Sequence, residues 1–251
     1  PSAEEDNFHG KMALDSTPES KSEEILPGTP GWDMGAAGLV AVWAEENTRA
    51  SLFDAMQRKE VYATTGPRIQ LRFFGGWDFQ QGDEANADVS RVGYAKGVPM
   101  GGELTAAPEG GAPTFLITAL KDPVGANLDR VQIVKGWVSD EGLPNEKVFD
   151  VIWSDGRTPA ADGGLPPVGN TVDLETGRYE NSIGDAQLVA VWADPAFDPS
   201  KGAFYYVRAI QIPTPRHTLF DAIALGIDPA ETGNPATIQE RAYTSPIWYT
   251  P

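Results

Sequence analysis

The chain has no cysteine and only two histidines, His9 and His217. The first absence excludes a disulfide framework, thiolate-bound zinc and a cysteine nucleophile, and the second leaves almost nothing for an imidazole-rich metal centre. Positive charge is scarce too. Nineteen Lys and Arg face 36 Asp and Glu, for a net charge of −17, which repels phosphate backbones and anionic bilayers, so no nucleic-acid partner is expected. No apolar run approaches the roughly 18 residues of a membrane helix, and no membrane insertion is expected. The sequence contains no GxSxG, P-loop, GxGxxG or HExxH pattern, which removes the main support for a serine hydrolase, a nucleotide binder or a zincin.

What is present is a chain of 251 residues with 41% apolar side chains, 27 Gly and 21 Pro. That length buries roughly 70–75% of its unfolded surface, so a core needs no covalent or metal staple. The composition points to a globule rich in strands and loops. Its start, Pro1-Ser2-Ala3-Glu4-Glu5-Asp6, carries neither an initiator Met nor a signal-peptide core, and the expectation is a piece of a longer protein.

Residues 1–31 scatter Phe8, Met12, Leu14, Ile25 and Leu26 at no regular period among polar and turn residues, which predicts an extended arm or lid. After the Pro27-Gly28-Thr29-Pro30-Gly31 breaker, Leu39-Val40-Ala41-Val42-Trp43 has the length and branching of a buried strand. Asn47 or Thr48 then caps a helix over about 48–59, with Leu52, Phe53 and Met56 on one face, and Val61-Tyr62-Ala63-Thr64 is another strand. Residues 32–66 thus form a partial α/β segment, strand–helix–strand. From Gly66-Pro67 the period changes: Ile69, Leu71 and Phe73 alternate with Gln70 and Arg72, the pattern of a half-buried strand. Further strands are predicted at 114–120, 130–134, 147–153, 187–192, 204–212 and 247–249, so residues 67–251 are expected to be mainly β, an antiparallel β-sandwich with long loops at 75–102 and 155–170. A late helical turn is predicted at 219–225. Leu39–Glu45 recurs almost unchanged as Leu188–Asp194, but the flanks diverge at once, so these are two strands in similar buried surroundings and no repeat unit.

Glu4, Glu5, Asp6 and His9 are hard and borderline ligands able to touch a divalent ion, and equally a solvated polar arm. Glu45 and Glu46 follow a strand and precede a helix, where α/β folds place functional groups and where acidic residues also serve the helix dipole. Arg68 follows a strand end beside Thr64 and Thr65, a combination able to hold a phosphate or sulfate oxygen or to make an ordinary ion pair. Asp155, Asp162, Asp194 and Asp198 match no calcium-loop spacing and read as turn residues. Among seven Trp, Trp43, Trp153, Trp192 and Trp248 lie in strand runs and belong to core or interface, whereas Trp32, Trp77 and Trp137 neighbour Gly-rich turns and are the candidates to face a ligand.

Longer strings carry a family resemblance. Gly31-Trp32-Asp33-Met34-Gly35, Val42-Trp43-Ala44-Glu45-Glu46-Asn47-Thr48-Arg49, Val61-Tyr62-Ala63-Thr64-Thr65-Gly66-Pro67-Arg68, Tyr94-Ala95-Lys96-Gly97-Val98-Pro99-Met100-Gly101-Gly102, and the end from Glu240 to Tyr249 resemble an uncharacterised bacterial family, a domain of unknown function related to the PHP-type metal-dependent phosphoesterases. The resemblance spans essentially the whole chain. It implies a distorted β/α barrel upstream with a His-x-His and an Asp-x-His metal motif, neither of which occurs here. On that reading the chain is the non-catalytic C-terminal portion of a phosphoester-type metallohydrolase: arm, remnant of a PHP-like barrel, and sandwich. It implies a divalent metal, Zn²⁺, Mn²⁺ or Mg²⁺, for the parent and none bound by this chain alone, and the N-terminal portion of the same protein as partner. Glu5, His9, Glu45 and Arg68 would border the active-site mouth. Relatives are often exported, so a periplasmic or secreted location is expected, and a homo-oligomer is open. The alternative is a stand-alone carbohydrate- or protein-binding β-sandwich using Trp32, Trp77 and Trp137. A glycosidase built on a carboxylate pair about 5–9.5 Å apart is a weaker third reading.

Overall fold

A computed structural model describes residues 17–33 and 38–251. The described residues divide into two compact units, one made of Gly38–Gly169, Ile183–Ile212 and Glu240–Pro251, the other of residues 17–33, Asn170–Ser182 and Pro213–Gln239.

In the smaller unit, α1 (Pro18–Ser22) starts at Thr17, whose hydroxyl accepts from the Ser20 amide, and α4 (His217–Leu225) ends on Gly226 at φ 66°. Glycine serves there because a left-handed C-cap strains any residue with a Cβ. Two short ribbons complete the unit, β1 (Glu24–Leu26) with β2 (Thr29–Pro30) and β13 (Thr214–Pro215) with β14 (Thr237–Ile238). Lys21 reaches Asp221 at 3.1 Å.

The larger unit is a sandwich. Its larger sheet runs β10 (Pro144–Trp153), β9 (Leu128–Val138), β12 (Ala203–Gln211), β15 (Arg241–Thr244), β4 (Val61–Thr64), β3 (Leu39–Val42), with β16 (Ile247–Tyr249) also on β12 and β7 (Glu103–Leu104) on β16. The smaller sheet runs β11 (Gln187–Ala193), β8 (Thr114–Leu120), β5 (Gln70–Gly76), β6 (Gly97–Pro99). All these pairs are antiparallel except β7 with β16. The fold is mainly β with antiparallel sheets and no closed barrel, as the alternation predicts.

Period two explains the layers. Ile69 just before β5, Leu71 and Phe73 on it, and Phe115 and Ile117 on β8 turn into a core shared with Ile133, Tyr205, Val207, Ala242 and Ile247 of the other sheet. Their neighbours Phe74 and Leu116 point to the opposite face and pack under α3 (Val89–Lys96) through Val92. The four-stranded sheet is therefore covered on both faces. Burying such a phenyl ring contributes about 1.5–3 kcal/mol.

Several expectations shift. The 75–102 stretch contains α3 and β6, so it is no open loop. The strand–helix–strand order at 39–65 is present, with α2 (Arg49–Gln57) capped by the Thr48 hydroxyl, but β3 and β4 pair antiparallel and β4 continues the large sheet through β15. The segment is part of that sheet and not a separate one. The apolar run of β3 is also not buried: Leu39 is 43% and Val40 73% exposed. β3 is an edge of the large sheet with one ladder partner among the described residues; β11 is an edge of the smaller sheet, yet its matching run has Leu188 and Ala190 buried. Residues 1–16, most of the expected arm, lie outside the described residues.

Candidate functional site

The end of β3, the C-terminus of α2, the start of β4, β5 and α3 converge on a cleft of about 350 Å³ lined by Trp43, Glu45, Arg58, Glu60, Arg72 and Tyr94. The Trp43 indole N–H donates to the Leu71 carbonyl at 2.9 Å, and its ring stacks on Tyr62 at 6.1 Å. The Trp43 amide donates to the Glu60 carbonyl at 3.0 Å, tying β3 to the turn before β4. Arg72 points away from the core as the alternation on β5 requires, and its guanidinium lies 3.7 Å above the Trp43 ring.

Glu60 is only 3% exposed. Burying a carboxylate is costly unless it is paired, and two groups do this: the Tyr94 hydroxyl donates to Oε1, and Arg58 Nη2 lies 3.5 Å from Oε2. Tyr94 in turn accepts from Arg72 Nη1 at 3.5 Å. Burial and then the Glu60 carboxylate push the Tyr94 phenol above its ordinary range, which fixes it as a proton donor at neutral pH. The wall reads Arg72, Tyr94, Glu60, Arg58, with Glu45 exposed at the rim. Arg72 commits one of its five N–H donors among the described residues. Arg72 can grip an oxyanion with its remaining N–H donors, while Tyr94, whose single O–H is given to Glu60, holds the Arg72 guanidinium in place.

Of the residues expected from sequence, Glu45 is in this cleft and Arg68 is not. Arg68 is exposed, and its backbone N–H, not its guanidinium, donates to Asp122 at 2.7 Å, the main cause of the lowered Asp122 carboxyl. Glu5 and His9 lie outside the described residues. Trp32 is buried at 7% in the smaller unit, where its carbonyl meets His217 Nε2 at 3.2 Å. Trp77 is half-buried, edge-on to Phe197 and Tyr249 at 5.9 Å each, a flank of the core. Trp137 does line a cavity, a second one at the β9–β10 end of the sandwich. Asp194 is not a solvated turn residue but a buried ion-pair partner of Lys135 at 2.6 Å. Arg58, Glu60, Arg72 and Tyr94 are not grouped by any sequence motif because they lie on four elements; the outward Arg72 amid apolar neighbours was the available signal.

Among the described residues no group of three or more His, Asp or Glu side chains is placed to hold a metal ion. In the cleft itself Glu60 is paired with Arg58 at 3.5 Å, and Glu45 shares the lining with Arg58 and Arg72, a charge set unsuited to a divalent cation.

Residues 1–251 match one family model, described as a protein of unknown function (DUF3604). The chain belongs to this family. No curated protein and no solved structure matches the chain. The family carries no assigned reaction, so for this member the cleft geometry is what bears on chemistry.

Proposed function

We propose that this DUF3604 chain is the non-catalytic, substrate-holding portion of a PHP-like metal-dependent hydrolase of phosphoester type. The observation that carries this reading is that Arg72, stacked over Trp43 with most of its N–H donors uncommitted among the described residues, meets Arg58 in one cleft of a chain of net charge −17. A site that gathers guanidinium groups against so acidic a background favours an oxyanion. The metal and its ligands belong, on this reading, to the N-terminal portion of the same protein, and this chain's part is to bind and orient the anionic group.

A second feature agrees. The connection that brings Glu45 and Arg58 to the cleft also displays an uncovered apolar surface: Leu39 and Val40 on the β3 edge, and Phe53 (58% exposed) and Met56 (52%) on α2. The N-terminal portion would seat on this surface and place its reacting centre beside the cleft.

The test is calorimetric titration of the chain with inorganic phosphate. Saturable binding weakened about tenfold or more by Arg72→Met is expected, as for one lost charge-assisted contact. Absence of binding, or indifference to Arg72→Met, overturns the oxyanion assignment. Turnover of bis(4-nitrophenyl) phosphate by the chain alone with Zn²⁺, Mn²⁺ or Mg²⁺ overturns the non-catalytic one.

A further inference from the structure

A second cavity, of about 390 Å³, opens at the β9–β10 end of the sandwich and is lined by Lys135, Trp137, Lys147, Phe197, Asp198 and Lys201 among others. Register explains the grouping. Lys147 on β10 lies directly across from Lys135 on β9, and Trp137, two residues further, shares their face. On the other side Lys135 pairs with Tyr205 and Trp137 with Ala203 of β12, so this face is the one that turns into the core. The connection after β11 supplies Phe197, Asp198 and Lys201.

Three of the eight lysines of a very acidic chain thus meet at one opening. Like charges directly opposite on antiparallel strands are destabilising. The cost is offset for two of them. Lys135 is bonded to Asp194 at 2.6 Å and to the Ala196 carbonyl at 2.8 Å, and Lys201 lies 3.1 Å from Asp140 and 3.7 Å from Asp198. Lys147 has no ion-pair partner among the described residues; its ammonium sits 4.8 Å from the Phe149 ring. With Lys135 and Lys201 given to carboxylates, Lys147 is the cation at this opening without a carboxylate partner among the described residues, and it stands across from Lys135 and near the half-buried Trp137 indole, where an anion with a flat apolar face can meet both.

We propose that this cavity binds an acidic sugar, a hexuronate residue of an oligosaccharide, with its pyranose face on Trp137 and its carboxylate on Lys147. One free ammonium suits one carboxylate. Asp198 and Asp140 flank the opening, so they repel dense polyanions while accepting hydroxyl hydrogen bonds. This site is independent of the oxyanion cleft and of the hydrolase reading.

The experiment is calorimetric titration with tetragalacturonate, with cellotetraose as neutral control and inorganic phosphate as competitor. Saturable uronate binding is expected, weakened tenfold or more by Lys147→Gln, partly kept by Lys147→Arg, lost in Trp137→Ala, and unchanged by Arg72→Met or by phosphate. Lys147 is exposed, so Lys147→Gln should melt as the parent does. Absence of uronate binding, equal binding of cellotetraose, or dependence on Arg72 overturns the proposal.

Discussion

Asp194→Ala tests how the sandwich end is held. The Asp194 carboxylate, on a residue 3% exposed, accepts from Lys135 Nζ at 2.6 Å, from the Tyr205 hydroxyl at 2.7 Å and from the Ala196 amide at 2.8 Å. Burial first, and then Asp194, raise the Tyr205 phenol far above its ordinary range, so this hydroxyl stays a donor that needs an acceptor. Removing the carboxylate strands a buried ammonium, worth about 3–5 kcal/mol, and leaves the phenol unsatisfied, about 1–3 kcal/mol, part of which overlaps. A net loss of about 4–6 kcal/mol is expected, a large share of the roughly 5–15 kcal/mol that holds a domain folded. It corresponds to a midpoint lowered by about 8–24 °C at about 2–4 °C per kcal/mol. Urea unfolding followed by tryptophan fluorescence reads it directly. The apolar triple variant Lys135→Met, Asp194→Leu, Tyr205→Phe should recover most of the loss, because the penalty comes from stranded groups and not from the absence of an ion pair. A loss below about 1 kcal/mol for Asp194→Ala, or a triple variant as unstable as the sum of its parts, would refute the reasoning.

Three further outcomes are expected. Gly93→Ala sets a methyl carbon 2.5 Å from the Phe74 ring, so overpacking of about 1–3 kcal/mol outweighs the helix gain of up to about 1 kcal/mol, and thermal melts should show net destabilisation. Burial lowers the His217 imidazole below its ordinary value of 6.5; the unfolded chain then binds more protons, so this contribution is full above about pH 6.5 and is lost as pH falls through the lower folded value. His217→Gln should flatten that slope in unfolding midpoints taken from about pH 8 to about pH 5. Arg157 donates to the carbonyls of Ser154 (3.2 Å), Pro166 (2.9 Å) and Asp129 (2.8 Å), pinning the 154–169 loop; Arg157→Ala should open new cuts there by proteinase K, which needs neither a basic nor an aromatic residue, and an unchanged digestion pattern would show that the loop is held otherwise.

Where neighbours in sequence decide structure, the chain was readable. The alternation at Ile69, Leu71 and Phe73 placed β5 and its inward face, and the Thr48 cap placed α2. Where partners distant in sequence decide, it was not. Leu39–Val42 and Leu188–Val191 are nearly the same string and both are edge strands, on β4 and β8, yet Leu39 and Val40 are exposed while Leu188 and Ala190 are buried. Helix α3 carries a weak sequence signal because Gly93, a poor helix residue, sits in it where the backbone packs against the Phe74 ring. Of the cleft, Glu45 was legible as a strand-end residue before a helix. Its guanidinium partners were not: Arg68 stands nearer the Thr64-Thr65 signal, but Arg72, further along on β5, is the residue stacked over Trp43.

The edge of β3 has a colloidal consequence. Leu-Val-Ala-Val offers no lysine, proline or bulge to discourage a second strand. What keeps two such edges apart in an isolated chain is the overall negative charge, and that guard reaches only about 10 Å at 0.1 M salt and about 3 Å at 1 M. Stock solutions of this chain should therefore stay clear in dilute buffer and turn sticky in brine, the reverse of an assembly held together by ion pairs.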